Sequence, residues 1–309
     1  MSSNALTAAQ SQGVTVGLCT YRRLSVADTL WSIANQDGID FSSLTIVVVD
    51  NDEELSGKVP VEQFSEESGL AVTYVSEPAK NISAARNQIL KNARGRWLAF
   101  IDDDEIAEKD WLAQLLETAI KYEAEAVIGK VLSGYPETTP EWIRKGGFFD
   151  RQDIPTGTAL QHGNTGCALV NIDYAKTQKI EFDLSFGLTG GEDSDFFFRI
   201  YKRGGRIIRS NEAVVSEMVE EKRLNERYLT LRAQRSGQCW VYFQRRFMNR
   251  TDLAKVVVKS LAKMLINTPI LITQLPLGKH KYLKPWLKIV DSYGKMTALL
   301  GGSKIEVYK

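Results

Sequence analysis

Leu44-Thr45-Ile46-Val47-Val48-Val49 is the stretch that most restricts how this chain can fold. A β-branched run without polar alternation reads as a strand buried on both faces. Comparable runs occur at Val14 to Cys19, Ala71 to Ser76 and Trp97 to Ile101, and Ala126-Val127-Ile128-Gly129 starts another. The segments between them have helical spacing. Leu30, Ile33 and Ala34 give one apolar side, and Ile82, Ala85, Ile89 and Ala93 a second, with Gly95 placed to end that helix. Trp111, Leu112, Leu115, Leu116, Ala119 and Ile120 mark a third. Ser25 is expected to cap the first helix, with Asp28 completing a capping box. Strand and helix alternate, so the fold class is α/β with a mainly parallel sheet flanked by helices. With 309 residues the chain can form one large domain or two smaller ones.

Parallel sheets bind ligands outside the carboxyl ends of their strands. Those ends are Thr20-Tyr21-Arg22, Asp50-Asn51 and Asp102-Asp103-Asp104, the last followed by Glu105. Four adjacent carboxylates destabilise one another unless a cation or hydrogen-bond network lies among them. A second acidic group, Glu192-Asp193, follows Gly190-Gly191 at an expected helix start, where the helix dipole favours negative charge. The chain has two histidines, His162 and His280, and three scattered cysteines, so a soft or imidazole-rich metal site is not expected. Carboxylates suit a hard ion, Mg²⁺ or Mn²⁺, shared with a substrate's phosphates. Neither GxxxxGK[ST] nor GxGxxG after a strand is present, so the ATPase and dinucleotide readings lack their signatures.

Four stretches in order, VTVGLCTYRR, LTIVVVDN, KNISAARNQILKNARGRWLAFIDDDE and GGEDSDFFFRI, resemble family 2 glycosyltransferases of the bacterial polysaccharide-biosynthesis type. The resemblance covers roughly residues 14 to 220. It implies a GT-A fold, with a Rossmann-like sheet, over 14–220. It also implies inverting transfer from a nucleotide-diphosphate sugar, a UDP-sugar above all, to a saccharide hydroxyl. Carried over residue by residue, Asp104 goes to the metal and Asp102 to the ribose or the metal shell, with Asp103 beside them. Asp50 is assigned to the base, Asn51 adjoins it, and Thr20, Tyr21 and Arg22 line the base and ribose pocket. Arg86 contacts the nucleotide, and Asp193 is the base, with Glu192 next to it. The family often places a histidine ligand on the strand after this helix. Here that strand reads Glu212 to Glu217, and Glu217 is the expected substitute.

The remaining segments carry fewer assignments. Ser133 to Asn164 is rich in proline, glycine and aromatic residues and reads as a long irregular region. Its Trp142, Phe148 and Phe149 are expected to pack rather than to bind sugar, and Asn164-Thr165-Gly166 is a candidate for the sugar pocket. No signal peptide is expected in MSSNALTAAQSQG, and the odd cysteine count suits a reducing compartment. The net charge of +1 hides an asymmetry, because Arg245 to Lys309 holds 13 Lys/Arg and 3 Asp/Glu, a net of +10, leaving −9 elsewhere. Residues 221–309 are therefore expected to form a basic helical region on an anionic membrane surface. Val256, Val257, Leu261, Met264 and Leu265 alternate with Lys255, Lys259 and Lys263, the pattern of an interfacial helix. The uncharged run Met264 to Gly278 is 15 residues long, short of the roughly 20 that a span needs. The expected location is the cytoplasmic face of the inner membrane, with a lipid-linked acceptor and no nucleic-acid partner. Two other classes compete. A non-catalytic scaffold would not need Asp102, Asp104 and Asp193, and a nucleotidyltransferase would need a Gly- and Lys-rich phosphate loop that Cys19 to Ser25 does not supply.

Overall fold

The computed structural model describes residues 12–306, so most of the segment read for a signal peptide lies outside the described residues. In chain order the elements begin with β1 (Val14–Thr20), α1 (Val26–Ala34), β2 (Leu44–Asp50), α2 (Lys58–Ser68), β3 (Val72–Ser76) and α3 (Ile82–Asn92). They continue with β4 (Trp97–Ile101), β5 (Glu105–Ala107), α4 (Trp111–Lys121), β6 (Ala126–Gly134), α5 (Glu141–Gly146), β7 (Ala159–Leu160), β8 (Cys167–Asn171) and α6 (Ile172–Thr177). The last are α7 (Glu192–Lys202), β9 (Ile207–Met218), α8 (Glu226–Arg245), α9 (Arg250–Gln274) and α10 (Lys279–Leu299).

The strands form one sheet in the order β3-β2-β1-β4-β8-β6-β9-β5, with β7 on β9. From β3 to β4 all pairings are parallel, as the apolar runs require. Beyond β4 the sheet is mixed: β8 is antiparallel to both β4 and β6, while β9 is parallel to β6. Reversing β8 has a consequence for the site. Its first residue, Cys167, pairs with Ile101 at the carboxyl end of β4, which brings the preceding residues 164–166 to the same edge as the acidic turn.

Side chains alternate across the sheet, one apolar core lying on each face. Ile46 and Val48 enter the core beneath α1, α2 and α4, whereas Val47 and Val49 enter the core beneath α3, α6 and α7. Gly17 lets α3 approach β1, since a Cβ there would lie 2.2 Å from Ile89 Cγ2. Ser25 precedes α1 but makes no capping bond; its hydroxyl donates to the Asp103 carbonyl (3.0 Å) and ties α1 to the acidic turn. The capping-box expectation is therefore replaced by a tertiary contact.

The region after β6 is ordered by a small aromatic core. Phe149 stacks on Tyr228 at 6.2 Å beside Ile143, Trp142 and Phe148, as packing residues would. Helix α8 follows β9, and α10 lies against it through two glycines. A Cβ on Gly237 would sit 2.0 Å from the Asp291 carbonyl oxygen, and one on Gly294 2.1 Å from that of Gln234.

Helix α9 begins with a capping box of Asn249 and Asp252. Its buried positions are Val256, Ser260 and Asn267, so two of the three are polar. Leu261, Leu265, Ile266 and Ile272 are exposed. The expected apolar stripe is thus divided, with Val256 facing inward and Leu261 and Leu265 outward. The helical segment also runs on from Arg250 to Leu277, 28 residues, long and apolar enough to cross a membrane by length and composition. The 15-residue uncharged run therefore understates the helix, because flanking lysines do not interrupt it.

Candidate active site

The four carboxylates after β4 turn toward different partners. Asp102 has 47% of its side chain exposed and lies 3.5 Å from Arg86. Asp103 and Asp104 share the Arg23 guanidinium at 2.9 and 2.5 Å, and Arg23 reaches Glu220 at 2.9 Å as well. Burial acts against the Arg23 charge, but the three carboxylates outweigh it and raise its pKa. Glu105 folds back under the turn, accepting from the Asp102 amide at 2.9 Å. Burial first, and then the charge of Asp102, push the Glu105 carboxyl well above its ordinary range. Burial pushes Asp103 up to about 6 despite Arg23. The local charge cost is thus relieved by a protein cation and by turning one carboxylate inward. Sequence reading named Arg22; Arg23, its neighbour, is the hub, and the doubled arginine in TYRR was the available signal.

The ends of β1 and β2 divide between scaffold and accessible surface. Asp50 is buried. Its Oδ1 accepts from the Asp52 amide (2.9 Å) and its Oδ2 from the Gly57 amide (2.8 Å) and the Tyr74 hydroxyl (2.5 Å). Asn51 donates to the Glu77 and Ala79 carbonyls at 2.6 and 2.5 Å. Both residues brace the loops around them. Thr20 is buried as well. Tyr21 and Arg22 remain accessible: Arg22 has a left-handed backbone (φ 55°), pairs with Asp52 at 3.1 Å and lies 5.3 Å over the Tyr21 ring. Lys80 approaches the same ring at 5.9 Å. Together these residues offer an aromatic face edged by cations.

A cavity of about 370 Å³ opens between the acidic turn, the start of α7, residues 164–166 and α8. Gly190 and Gly191 both have positive φ (72° and 92°), and they set the Glu192-Asp193 pair at the cavity wall. Glu192 is buried and ion-paired with Arg86. Burial raises its carboxyl to about 7, with Arg86 opposing and Asp193 adding to the shift. Asp193 is half-buried, and its Oδ1 accepts from the Ser194 amide at 2.6 Å. The two neighbours therefore separate: Glu192 holds Arg86, and Asp193 faces the cavity. Helix α8 supplies Arg232, Arg235 and Cys239 to the cavity lining, and Cys239 donates to the Gly190 carbonyl at 3.2 Å. Arg151 also lines the cavity. Nothing in the sequence marked α8 as part of a site, because its cavity residues are separated in sequence from every motif.

Asp102 and Asp104 are hard oxygen donors at the ligand edge, and Arg23 already occupies the place of a cation between Asp103 and Asp104. Glu217 does not join them. It sits 3.7 Å from Arg151 and accepts from Ser133 at 3.4 Å. Among the described residues no group of three or more His, Cys, Asp or Glu is arranged to hold a metal. β9 turns Glu217 toward Arg151, and the hard carboxylates at the ligand edge are Asp102 and Asp104. That suits an ion that draws its remaining ligands from phosphate and water.

Comparison with known proteins identifies the family and the fold. The family model described as Glycosyl transferase family 2 matches residues 15–177. The chain is 42% identical over 225 residues to the succinoglycan biosynthesis protein ExoM of Rhizobium meliloti (strain 1021), covering 73% of each. It is 30% identical over 133 residues to the Escherichia coli UDP-Glc:alpha-D-GlcNAc-diphosphoundecaprenol beta-1,3-glucosyltransferase WfgD, covering 43% of this chain and 50% of that one. Among solved structures, the Pyrobaculum calidifontis mannosyltransferase PcManGT in complex with GDP-Man and Mn²⁺ superposes with a TM-score of 0.66 at 18% identity, over 94% of this chain and 88% of that one. Staphylococcus aureus TarS 1–349 in complex with UDP-GlcNAc gives a TM-score of 0.53 at 17% identity, over 95% and 93%. The chain belongs to glycosyltransferase family 2 and has the GT-A fold.

Proposed function

We propose that this glycosyltransferase moves a sugar, with inversion, from a UDP-sugar to a hydroxyl of a lipid-linked saccharide acceptor during cell-surface polysaccharide synthesis. The observation that carries the reading is the division of labour at the start of α7. Asp193 opens onto the cavity that Asp102 also lines, while Glu192 is held by Arg86. Tyr21 and Arg22 form the accessible face for the base and ribose. Arg86 sits between Glu192 and Asp102 and directs positive charge toward the diphosphate. Asp102 and Asp104 would hold Mn²⁺ or Mg²⁺, which when bound supplies Lewis-acid stabilisation of the leaving diphosphate. Asp193 takes the proton of the acceptor hydroxyl through Oδ2, since Oδ1 is engaged by the Ser194 amide. The freed oxygen attacks the anomeric carbon opposite the diphosphate, and a single displacement inverts that centre. A positioned base contributes about 10²–10⁴-fold.

The relatives support the polysaccharide setting, since ExoM is named for succinoglycan biosynthesis and WfgD for a diphosphoundecaprenol-linked acceptor. Membrane attachment through the C-terminal helices fits such an acceptor. Helix α9 turns leucine and isoleucine outward while its inner face carries Ser260 and Asn267. Helix α10 packs along it and bears Lys279, Lys281, Lys284, Lys288 and Lys295. Placing such lysines at mid-bilayer costs about 2.5–3.5 kcal/mol each, which favours a hairpin lying at the cytoplasmic interface over one that crosses. The test is transfer, or slow donor hydrolysis, across a panel of nucleotide sugars with Mn²⁺, Mg²⁺ or EDTA. Turnover of a UDP-sugar that requires the metal and is lost in Asp193→Asn is expected. Metal-independent turnover, or full activity of Asp193→Asn, refutes the assignment.

A further inference from the structure

The cavity that Asp193 lines also carries three guanidinium groups. Arg232 and Arg235 project from consecutive turns of α8, and Arg151 comes from the segment after α5. Arg151 lies 3.7 Å from Glu217, a long contact. Among the described residues no carboxylate lies within ion-pair distance of Arg232 or Arg235. Arg232 lies instead 5.3 Å over the Phe149 ring. Desolvation lowers the Arg232 pKa, Arg151 and Arg235 add to the shift, and Tyr228 and Glu217 oppose it. Like charges brought together with carboxylates only at long range are unfavourable, and a planar guanidinium pairs best with carboxylate or phosphate oxygens. A second observation lies alongside. Asn164 Oδ1 and Thr165 Oγ1 are buried at the same cavity and make no hydrogen bond among the described residues. An acceptor oxygen and a hydroxyl left this way suit the hydroxyl groups of a sugar.

We propose that Arg151, Arg232 and Arg235 form an oxyanion subsite of the acceptor cavity, so that the acceptor is a saccharide carrying a phosphate or a carboxylate close to the hydroxyl that reacts. In the same cavity Asp193 receives the hydroxyl and the arginines receive the anion. Asn164 and Thr165, in the same lining, are the sugar contacts. The assignment rests on Asp193 marking the acceptor side, and it adds the class of group that the acceptor must bear.

The test uses the full chain saturated with UDP and Mg²⁺, so that the donor diphosphate is already in place. Three probes are titrated by calorimetry: glucose 1-phosphate, glucuronate and methyl glucoside. At least one anionic sugar is expected to bind tenfold or more tightly than methyl glucoside, and which one does so identifies the source of the oxyanion. Arg232→Gln and Arg235→Gln, singly and together, should abolish that preference. The corresponding lysine variants should restore part of it. UDP affinity and the melting temperature should stay within twofold and about 2 °C, since glutamine keeps a polar side chain at the cavity lining and leaves the buried apolar residues unchanged. Equal binding of all three probes overturns the proposal, as does a preference that survives the double substitution. A tenfold loss of UDP affinity at unchanged melting temperature also overturns it, since the cluster would then serve the donor. Failure of the Asp193 assignment reads out separately, as retained turnover in Asp193→Asn with anion binding intact.

Discussion

Helices α4 and α9 are both rich in large apolar residues, yet they use them in opposite directions. Helix α4 buries Trp111, Leu112, Leu115 and Leu116 against the sheet. Helix α9 leaves Leu265 75% exposed and turns Ser260 and Asn267 inward. A helical stripe shows that a face will leave water, but not whether protein or lipid receives it. The difference lies in what each helix meets. A strand-rich sheet requires cover and offers α4 an apolar surface, whereas α9 meets α10, whose exposed residues are four lysines and Tyr293. The chemistry divides along the same line, because the motif residues belong to the sheet edge and α8 links that edge to the C-terminal helices.

The largest expected effect separates chemistry from attachment. Asp193→Asn should lower transfer by about 10²–10⁴-fold while leaving co-sedimentation with anionic vesicles unchanged. If both fall together, the two regions do not act independently. Next in size is a stability contrast between the two helices. Leu115→Ala should cost about 2–5 kcal/mol in denaturant unfolding, and Leu265→Ala should remain within about 0.5 kcal/mol. Comparable losses at both positions would show that α9 packs on protein rather than lipid. The double change Leu265→Ser with Ile266→Ser should weaken vesicle binding about tenfold or more, by loss of buried apolar area. High salt should weaken it further, because exposed lysines are screened within about 10 Å at 0.1 M.

The smallest effect concerns pH. Burial raises the Glu192 carboxyl from 4.5 to about 7. A carboxyl raised on folding contributes stability fully below its unfolded pKa and loses that contribution as pH climbs through the folded value. Between pH 4.5 and 7 the wild-type stability should therefore fall relative to Glu192→Gln. A difference that stays flat across this window would mean that Arg86 keeps Glu192 ionised throughout.

The motifs were legible because strand ends in a parallel sheet collect on one edge whatever the rest of the chain does. Asp102 and Asp104 follow from that rule, whereas Arg86 and Asp193, on helices, are assigned through the family resemblance. Asp50 and Asn51 obey the same rule of position, but their side chains turn into the loops behind them. Position along a strand does not report hydrogen-bond direction. Arg23 was hidden by its neighbour Arg22, since the left-handed backbone at Arg22 sends the two side chains to different carboxylates.

By itself the sequence determined the layered sheet, the ligand edge and the acidic groups there, because apolar periodicity and strand ends are local properties. The tertiary structure alone decided that β8 runs backward and delivers Asn164 and Thr165 to that edge, that Glu217 faces Arg151, and that α8 closes the cavity with Arg232 and Arg235. Each of these depends on contacts between residues distant in the chain. Their free energy comes from packing and charge pairing, and no local pattern encodes it.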